Sequence, residues 1–147
     1  MYRKILVPLD GSKTAECTFC HVIDIAKGCR VPEVDLLFVV EPLPAGLYQN
    51  RQEVNDKLLA WAKHYLLDVV NRLGVDGIIA KPVIIEGKPA DTILEYAEKN
   101  GIDLIIMSTH GRSGPSRWAF GSVTDKVVRS SPTPVLVIAP EGCRVQI

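Results

Sequence analysis

The chain has no surplus charge of either sign. Its 17 Lys and Arg residues balance its 17 Asp and Glu residues, and the formal net charge is zero. Broad electrostatic binding to nucleic acid or to an anionic membrane needs a basic excess, so both partners are disfavoured. No apolar run approaches the ~20 residues that a membrane span requires. The opening residues, Met1 to Pro8, lack the apolar stretch and small-residue cleavage site of a secretory signal. The expectation is a cytoplasmic protein with no nucleic-acid and no membrane partner. Internal repeats, linkers and low-complexity segments are missing too. Neither G-x-x-x-x-G-K-[ST] nor a G-x-G-x-x-G after the first strand occurs, which argues against a standard P-loop nucleotidase and against a dinucleotide fold.

Cysteine is scarce, at four residues. Cys17-Thr-Phe-Cys20-His21 matches the spacing of a c-type haem attachment site, and Cys17 with Cys20 that of a redox pair. The context opposes both. Haem attachment needs export, and a redox pair belongs in a short turn opening a helix, whereas these residues lie within a helical pattern. Cysteines so placed act as small hydrophobes. Cys29 and Cys143 are isolated in sequence and read as packing or surface residues.

What is present is a core. At 147 residues with 47% hydrophobic composition, the chain reads as one domain, 1–147, able to bury roughly two thirds of its unfolded surface. Strand and helix signals alternate along it. Tyr2 to Leu9 reads as a buried strand, and residues 12–28 as a helix closed by Gly28. Val34 to Val40 is a second strand, and Gln52 to Leu73 a long amphipathic helix stopped by Gly74. Ile78 to Ile85 is a third strand, which Pro82 marks as an edge. Pro89 opens a helix to Lys99 that Asn100-Gly101 closes. Leu104 to Ser108, a helix from Ser122 to about Ser130, and Pro134 to Ala139 complete the pattern.

Five strands alternating with helices give an α/β fold: a doubly wound, five-stranded parallel sheet with helices on both faces. Order 3-2-1-4-5 suits it, with the proline-bearing third strand at one edge. The switch point then lies between strands one and four, where ligands favour the crevice at the C-terminal strand ends. Val7 to Asp10 and Met107 to Gly111 therefore face one another.

The second of these segments leads into a glycine-rich loop, Ser108 to Ser122. Ser122-Val-Thr-Asp125 has capping-box spacing, which puts a helix start at Ser122. A helix start offers unpaired N–H groups and partial positive charge suited to phosphate. Gly111, Gly114 and Gly121 allow close backbone approach, Ser122 and Thr124 add hydroxyl donors, and Arg112 and Arg117 add charge. The alternative is that the glycines only form turns and Ser122 only caps.

On these residues the chain resembles a universal stress protein of the single-domain kind. The resemblance runs from Lys4-Ile-Leu-Val-Pro-Leu-Asp-Gly-Ser12 to Pro134-Val-Leu-Val-Ile138. It is most specific over Met107 to Gly114 and Gly121 to Val128. The nucleotide-binding members carry G-x₂-G, nine residues, then G-[ST]. Gly111 matches the second glycine and Gly121-Ser122 the last pair, while Ser108 replaces the first glycine. The resemblance implies an adenine nucleotide α hydrolase-like fold. It also implies a bound adenine nucleotide, usually ATP with a divalent ion such as Mg²⁺ or Mn²⁺ on its phosphates. Pro8, Leu9 and Asp10 match the segment holding adenine and ribose, Val39 a position against the base, and Met107 and Ser108 the floor near the ribose. Gly111, Gly121, Ser122, Val123 and Thr124 match the phosphate cradle, and His110 and Arg112 stand beside it. Val39 and Met107 would be core in any such fold. Asp10 has a second possible role, organising the turn after it, and Trp118 and Phe120 read as anchors of the loop.

No catalytic constellation emerges, because ATP hydrolysis needs a positioned water, an orienting group and a charge clamp. The function expected is a nucleotide-binding regulator, not an enzyme, read by an unknown regulatory protein through the loop from Glu41 to Arg51 or the loop around Gly114. The apolar strand at Pro134 to Ala139 is an edge that invites a homodimer through residues 134–139; the alternative is an edge covered by the tail, Glu141 to Ile147. The rival readings are a nucleotide-free dimeric scaffold whose pocket Ser108 has closed, and an adenylating enzyme. The enzyme is disfavoured because Asp10-Gly-Ser-Lys-Thr14 lacks a glycine- and serine-rich phosphate motif.

Overall fold

The computed structural model describes residues 1–44, 46, 49–109 and 121–139. In chain order the strands are β1 (Lys4–Leu9), β2 (Glu33–Val40), β3 (Ala80–Glu86), β4 (Leu104–Ser108) and β5 (Val135–Ile138). The helices are α1 (Lys13–Glu16), α2 (Phe19–Cys29), α3 (Arg51–Val75), α4 (Pro89–Lys99) and α5 (Ser122–Ser130). The strands form one parallel sheet in the order β3-β2-β1-β4-β5. This is the order expected from the sequence, with Pro82 on the β3 edge opposite Leu36.

Alternation along the strands divides the core in two. Ile5, Val7 and Leu9 of β1, with Leu36 and Phe38 of β2, pack against α2 and α3 through Phe19, Val22, Leu66 and Leu73. Leu6, Leu37, Ile105 and Met107 face the other way, against Ile93 and Tyr96 of α4 and Val127 of α5. Parallel strands buried on both faces read as continuous apolar runs, which is why Glu33–Val40 shows no alternation in sequence. One polar group interrupts it. Asp35 is buried at mid-strand and accepts a hydrogen bond from the Tyr96 hydroxyl at 2.8 Å. At the sheet's N-terminal rim, the Asp103 carboxylate accepts from the backbone N–H groups of Arg3 and Lys4, at 2.8 and 3.0 Å.

Three helix boundaries differ from the sequence expectation. The helix expected over 12–28 is two helices. Thr18, fully buried, donates its hydroxyl to the Ala15 carbonyl at 2.8 Å, and the Cys17 and Thr18 amides bond three residues back. This local side-chain competition tightens the backbone between α1 and α2. Gly28 lies inside α2 rather than closing it. The left-handed closing residue is Arg30, with φ +55°, and the Val31 amide reaches back to the Ala26 carbonyl at 2.8 Å. Gly74 likewise lies inside α3. The left-handed glycine is Gly77, at φ +80°, with Ile78 bonding back to Leu73. Cys20 and Cys29 carry free thiols, whereas Cys17 is disulfide-bonded, so Cys17 is not the packing thiol expected and Cys20 is not its partner.

The feature that positions the site is a parting of strands. β1 pairs with β2 along all six of its residues, yet with β4 only at Ile5–Leu104 and Leu6–Ile105. Beyond Leu6 and Ile105 the two central strands separate, at the point where the strand order reverses direction. A crevice opens there, at the C-terminal ends of the strands.

Candidate functional site

A cavity of about 380 Å³ occupies this crevice. Its size falls in the range of small-molecule sites. Pro8, Leu9 and Asp10 line it from the end of β1, and Leu37 to Glu41 from the end of β2. Met107 and Ser108 line it from β4, and Gly121 to Thr124 from the start of α5. Ten of the residues expected from the sequence are thus brought together: Pro8, Leu9, Asp10, Val39, Met107, Ser108, Gly121, Ser122, Val123 and Thr124. His110, Gly111 and Arg112 lie outside the described residues, as do Gly114, Arg117, Trp118 and Phe120.

The sequence folds locally to aim these groups. Gly11 adopts φ +84°, a conformation that disfavours any side chain. The chain turns there, and Asp10 Oδ1 accepts the Ser12 amide across the turn at 2.9 Å. The Ser12 hydroxyl oxygen then accepts the Ala15 amide at 3.1 Å and caps α1. Asp10 therefore does organise the turn, while also lining the cavity.

At the opposite wall, α5 starts differently from the expected capping box. Gly121, not Ser122, is the cap residue, and among the described residues no side-chain hydrogen bond closes the helix start. Asp125 is turned to Arg129 instead, at 3.0 Å. The Thr124 hydroxyl is not a free donor, because it is committed to the Ser108 carbonyl at 2.7 Å. That bond ties α5 to the end of β4, and the Gly121 amide bonds to the Thr109 carbonyl at 2.6 Å. What α5 offers the cavity is its first-turn backbone, whose N–H groups have no acceptor within the helix.

Eight lining residues were not expected: Ala15, Leu37, Phe38, Val40, Glu41, Leu58, and Pro89 and Ile93, which form a wall from α4. Pro89 reads in sequence only as a helix opener, and nothing local says that α4 begins beside α5. Glu41 reads as the start of a loop. Its position one residue past a strand end was the signal that could have found it.

The site is electrically lopsided. Among the described lining residues the charged ones are Asp10 and Glu41, both acidic and both at the β1–β2 end. The α5 end supplies backbone N–H groups and the positive end of a helix dipole. Between them the walls are apolar: Leu37, Val39, Ile93 and Met107. Val39 is half-buried although its neighbours Phe38 and Val40 are buried, as expected for a strand residue facing a cavity. Such a site suits an elongated ligand with hydroxyl or amino donors at one end, a flat apolar body, and an anion at the other.

The comparisons agree with this architecture. The model of the universal stress protein family matches residues 1–139. The chain belongs to the universal stress protein family. Universal stress protein MJ0577 of Methanocaldococcus jannaschii is 34% identical over 155 aligned positions, covering 94% of this chain and 95% of that protein. The solved structure of MJ0577 superposes with a TM-score of 0.84, covering 100% of this chain and 99% of that one. Universal stress protein UspA from Lactobacillus plantarum is 32% identical, with a TM-score of 0.83 over 93% of this chain and 97% of that one. Two more distant members of the family share the fold. One was solved in complex with cAMP, at 22% identity and TM-score 0.71, covering 94% of this chain and 97% of that one. The other, from Arabidopsis thaliana, was solved with AMP bound, at 19% identity and TM-score 0.69, covering 93% of this chain and 91% of that one.

Behind the cavity this universal stress protein carries an aromatic cluster. Phe38 meets Trp61 edge-on, with centroids 5.9 Å apart, and Tyr65 likewise at 6.1 Å. Trp61 and Tyr65 stack at 5.4 Å. Burial, and then the Glu16 carboxylate, push the Tyr65 hydroxyl above the usual phenol range. That hydroxyl is buried and has no hydrogen-bond partner among the described residues. No helix among the described residues is long and apolar enough to cross a membrane.

Proposed function

We propose that this universal stress protein binds an adenine nucleotide in the crevice between β1 and β4 and acts as a dimeric, cytoplasmic regulator. The observation that carries the reading is the lopsided cavity where the central strands part, acidic at one end and faced by the uncapped start of α5 at the other. In this reading the base lies between Val39 and Met107, and Pro8, Leu9 and Asp10 hold the ribose side. Ser108 forms the floor. The backbone of Gly121, Ser122, Val123 and Thr124 cradles the phosphates, joined by Gly111 and by His110 and Arg112. Anion repulsion from Asp10 and Glu41 favours this orientation over the reverse one.

The members of the same fold solved with cAMP and with AMP make adenine the base to test first. ATP is our choice of nucleotide, with Mg²⁺ or Mn²⁺ bound to its phosphates and supplying countercharge there. Our reading is regulation by binding rather than catalysis, because ATP hydrolysis needs a positioned water, an orienting group and a charge clamp, and the sequence offers no spacing that establishes them. The scaffold alternative required Ser108 to close the pocket, yet the cavity persists beside Ser108.

The test is direct. The purified protein is denatured and the supernatant chromatographed for ATP, ADP and AMP. We expect near-stoichiometric adenine nucleotide from the parent chain and a large loss from Gly121→Val, whose side chain would stand in the phosphate cradle. Gly121 has φ −58°, which the valine backbone adopts without strain, and circular dichroism of the variant checks that it is folded. Absence of nucleotide from the parent, together with no uptake of added ATP, cAMP or AMP, would overturn the reading in favour of the scaffold.

A further inference from the structure

The turn that presents Asp10 to the cavity is held from outside the sheet by a helix distant in sequence. A Cβ built on Gly11 would collide with Trp61 Cη2 and lie 3.0 Å from Cζ3, so the indole rests directly on the Gly11 α-carbon. Any other residue would force that ring to shift. The same indole touches Phe38, a cavity-lining residue, and stacks on Tyr65 one turn further along α3. Leu58, one turn earlier, itself lines the cavity. Trp61 therefore contacts the site's wall at two places, the Asp10–Ser12 turn and Phe38, without itself lining the cavity. It remains 46% exposed, more than a residue placed only to fill core would be.

We propose that Trp61 is a positioning residue: it fixes the Asp10 turn, and through it the affinity of the site for a ligand that donates hydrogen bonds to the Asp10 carboxylate. This rests on the nucleotide-binding reading above and deepens it. A glycine at positive φ is the most permissive point of the chain. The indole covers the open side. Pre-organising the turn removes an ordering cost from binding, so its loss appears in affinity rather than in the fold.

The experiment has two arms on the full chain. In the first, amide exchange at Ser12 is followed by NMR without ligand. Trp61→Ala accelerates it if the indole holds the turn, and Trp61→Phe, which keeps an aromatic ring there, accelerates it less. In the second, ATP affinity is measured calorimetrically for the parent, Trp61→Ala, Asp10→Asn and the double variant. We expect Trp61→Ala to weaken ATP about tenfold, as loss of one charge-assisted hydrogen bond does. In the Asp10→Asn background the same change should cost little, because residues acting through one another are not additive. An equal loss in both backgrounds, or unchanged Ser12 exchange, overturns the proposal. A parent chain that binds no nucleotide overturns the functional reading instead, while the exchange arm still decides whether Trp61 holds the turn.

Discussion

Gly11 and Gly121 flank the same cavity for different physical reasons. Gly121 has an ordinary extended backbone, and its place in the account is as a cavity-lining residue at the start of α5. Gly11 combines a left-handed backbone with an indole pressed on its α-carbon. Gly11→Ala should therefore lower stability by about 1–3 kcal/mol through strain and collision, read from urea unfolding. An alanine variant as stable as the parent would show that the Trp61 contact is not formed. At this scale much of the site was legible, because Asp10, Ser108 and Ser122 sit at strand and helix ends that periodicity finds. Arg30 was not legible. Left-handed non-glycine residues are uncommon, so Gly28 drew the expectation two residues too early. The Thr124 hydroxyl was misread for a related reason: a sequence shows a donor but not the Ser108 carbonyl that takes it.

Two tyrosines on two helices have opposite consequences for the elements they anchor. Tyr96 joins α4 to β2 through its bond to buried Asp35. Tyr96→Phe strands that carboxyl and should reduce stability by about 1–3 kcal/mol in urea unfolding. Tyr65 on α3 has a buried hydroxyl with no partner among the described residues, so Tyr65→Phe should leave stability unchanged or raise it. Equal losses from the two variants would contradict this contrast. Burial is the leading cause that raises both hydroxyls above the usual phenol range, followed by the Asp35 hydrogen bond for Tyr96 and by Glu16 for Tyr65. The sign follows from linkage. The folded state keeps these protons when the unfolded state begins to lose them near pH ~10, so their stabilisation is complete below that pH and falls as pH rises beyond it. Alkaline unfolding monitored by tyrosinate absorbance should show both rings ionising with the unfolding step. The break between α1 and α2 was hidden in sequence, since an apolar stripe continues across it and only the Thr18 hydroxyl interrupts the ladder.

The sheet order was legible as a whole because few topologies satisfy five parallel strands with right-handed crossovers and a proline on an outer strand. The contribution of α3 and α4 to the cavity was not, since Leu58 and Pro89 reach it only through packing across the sheet. β5 is the other edge, beside β4. The carbonyls of Pro134 and Ile138 accept from Ile105 of β4 and from Thr109 just past its end, so Val135 and Val137 turn their backbone groups outward. We propose that a second copy pairs there. Val137→Pro removes an outward donor without breaking a bond to β4, and should convert a dimer to a folded monomer in light scattering. A parent chain that is monomeric at micromolar concentration would contradict that assembly.

The central claim is where the ligand sits, and nucleotide-stripped protein titrated with ATP and followed by amide NMR tests it most directly. The account predicts that the largest shifts gather at Asp10, Val39, Met107 and Ser122 to Thr124, residues far apart in sequence that meet only around the crevice. Shifts confined to other surfaces, or no shifts at millimolar ATP, would contradict it.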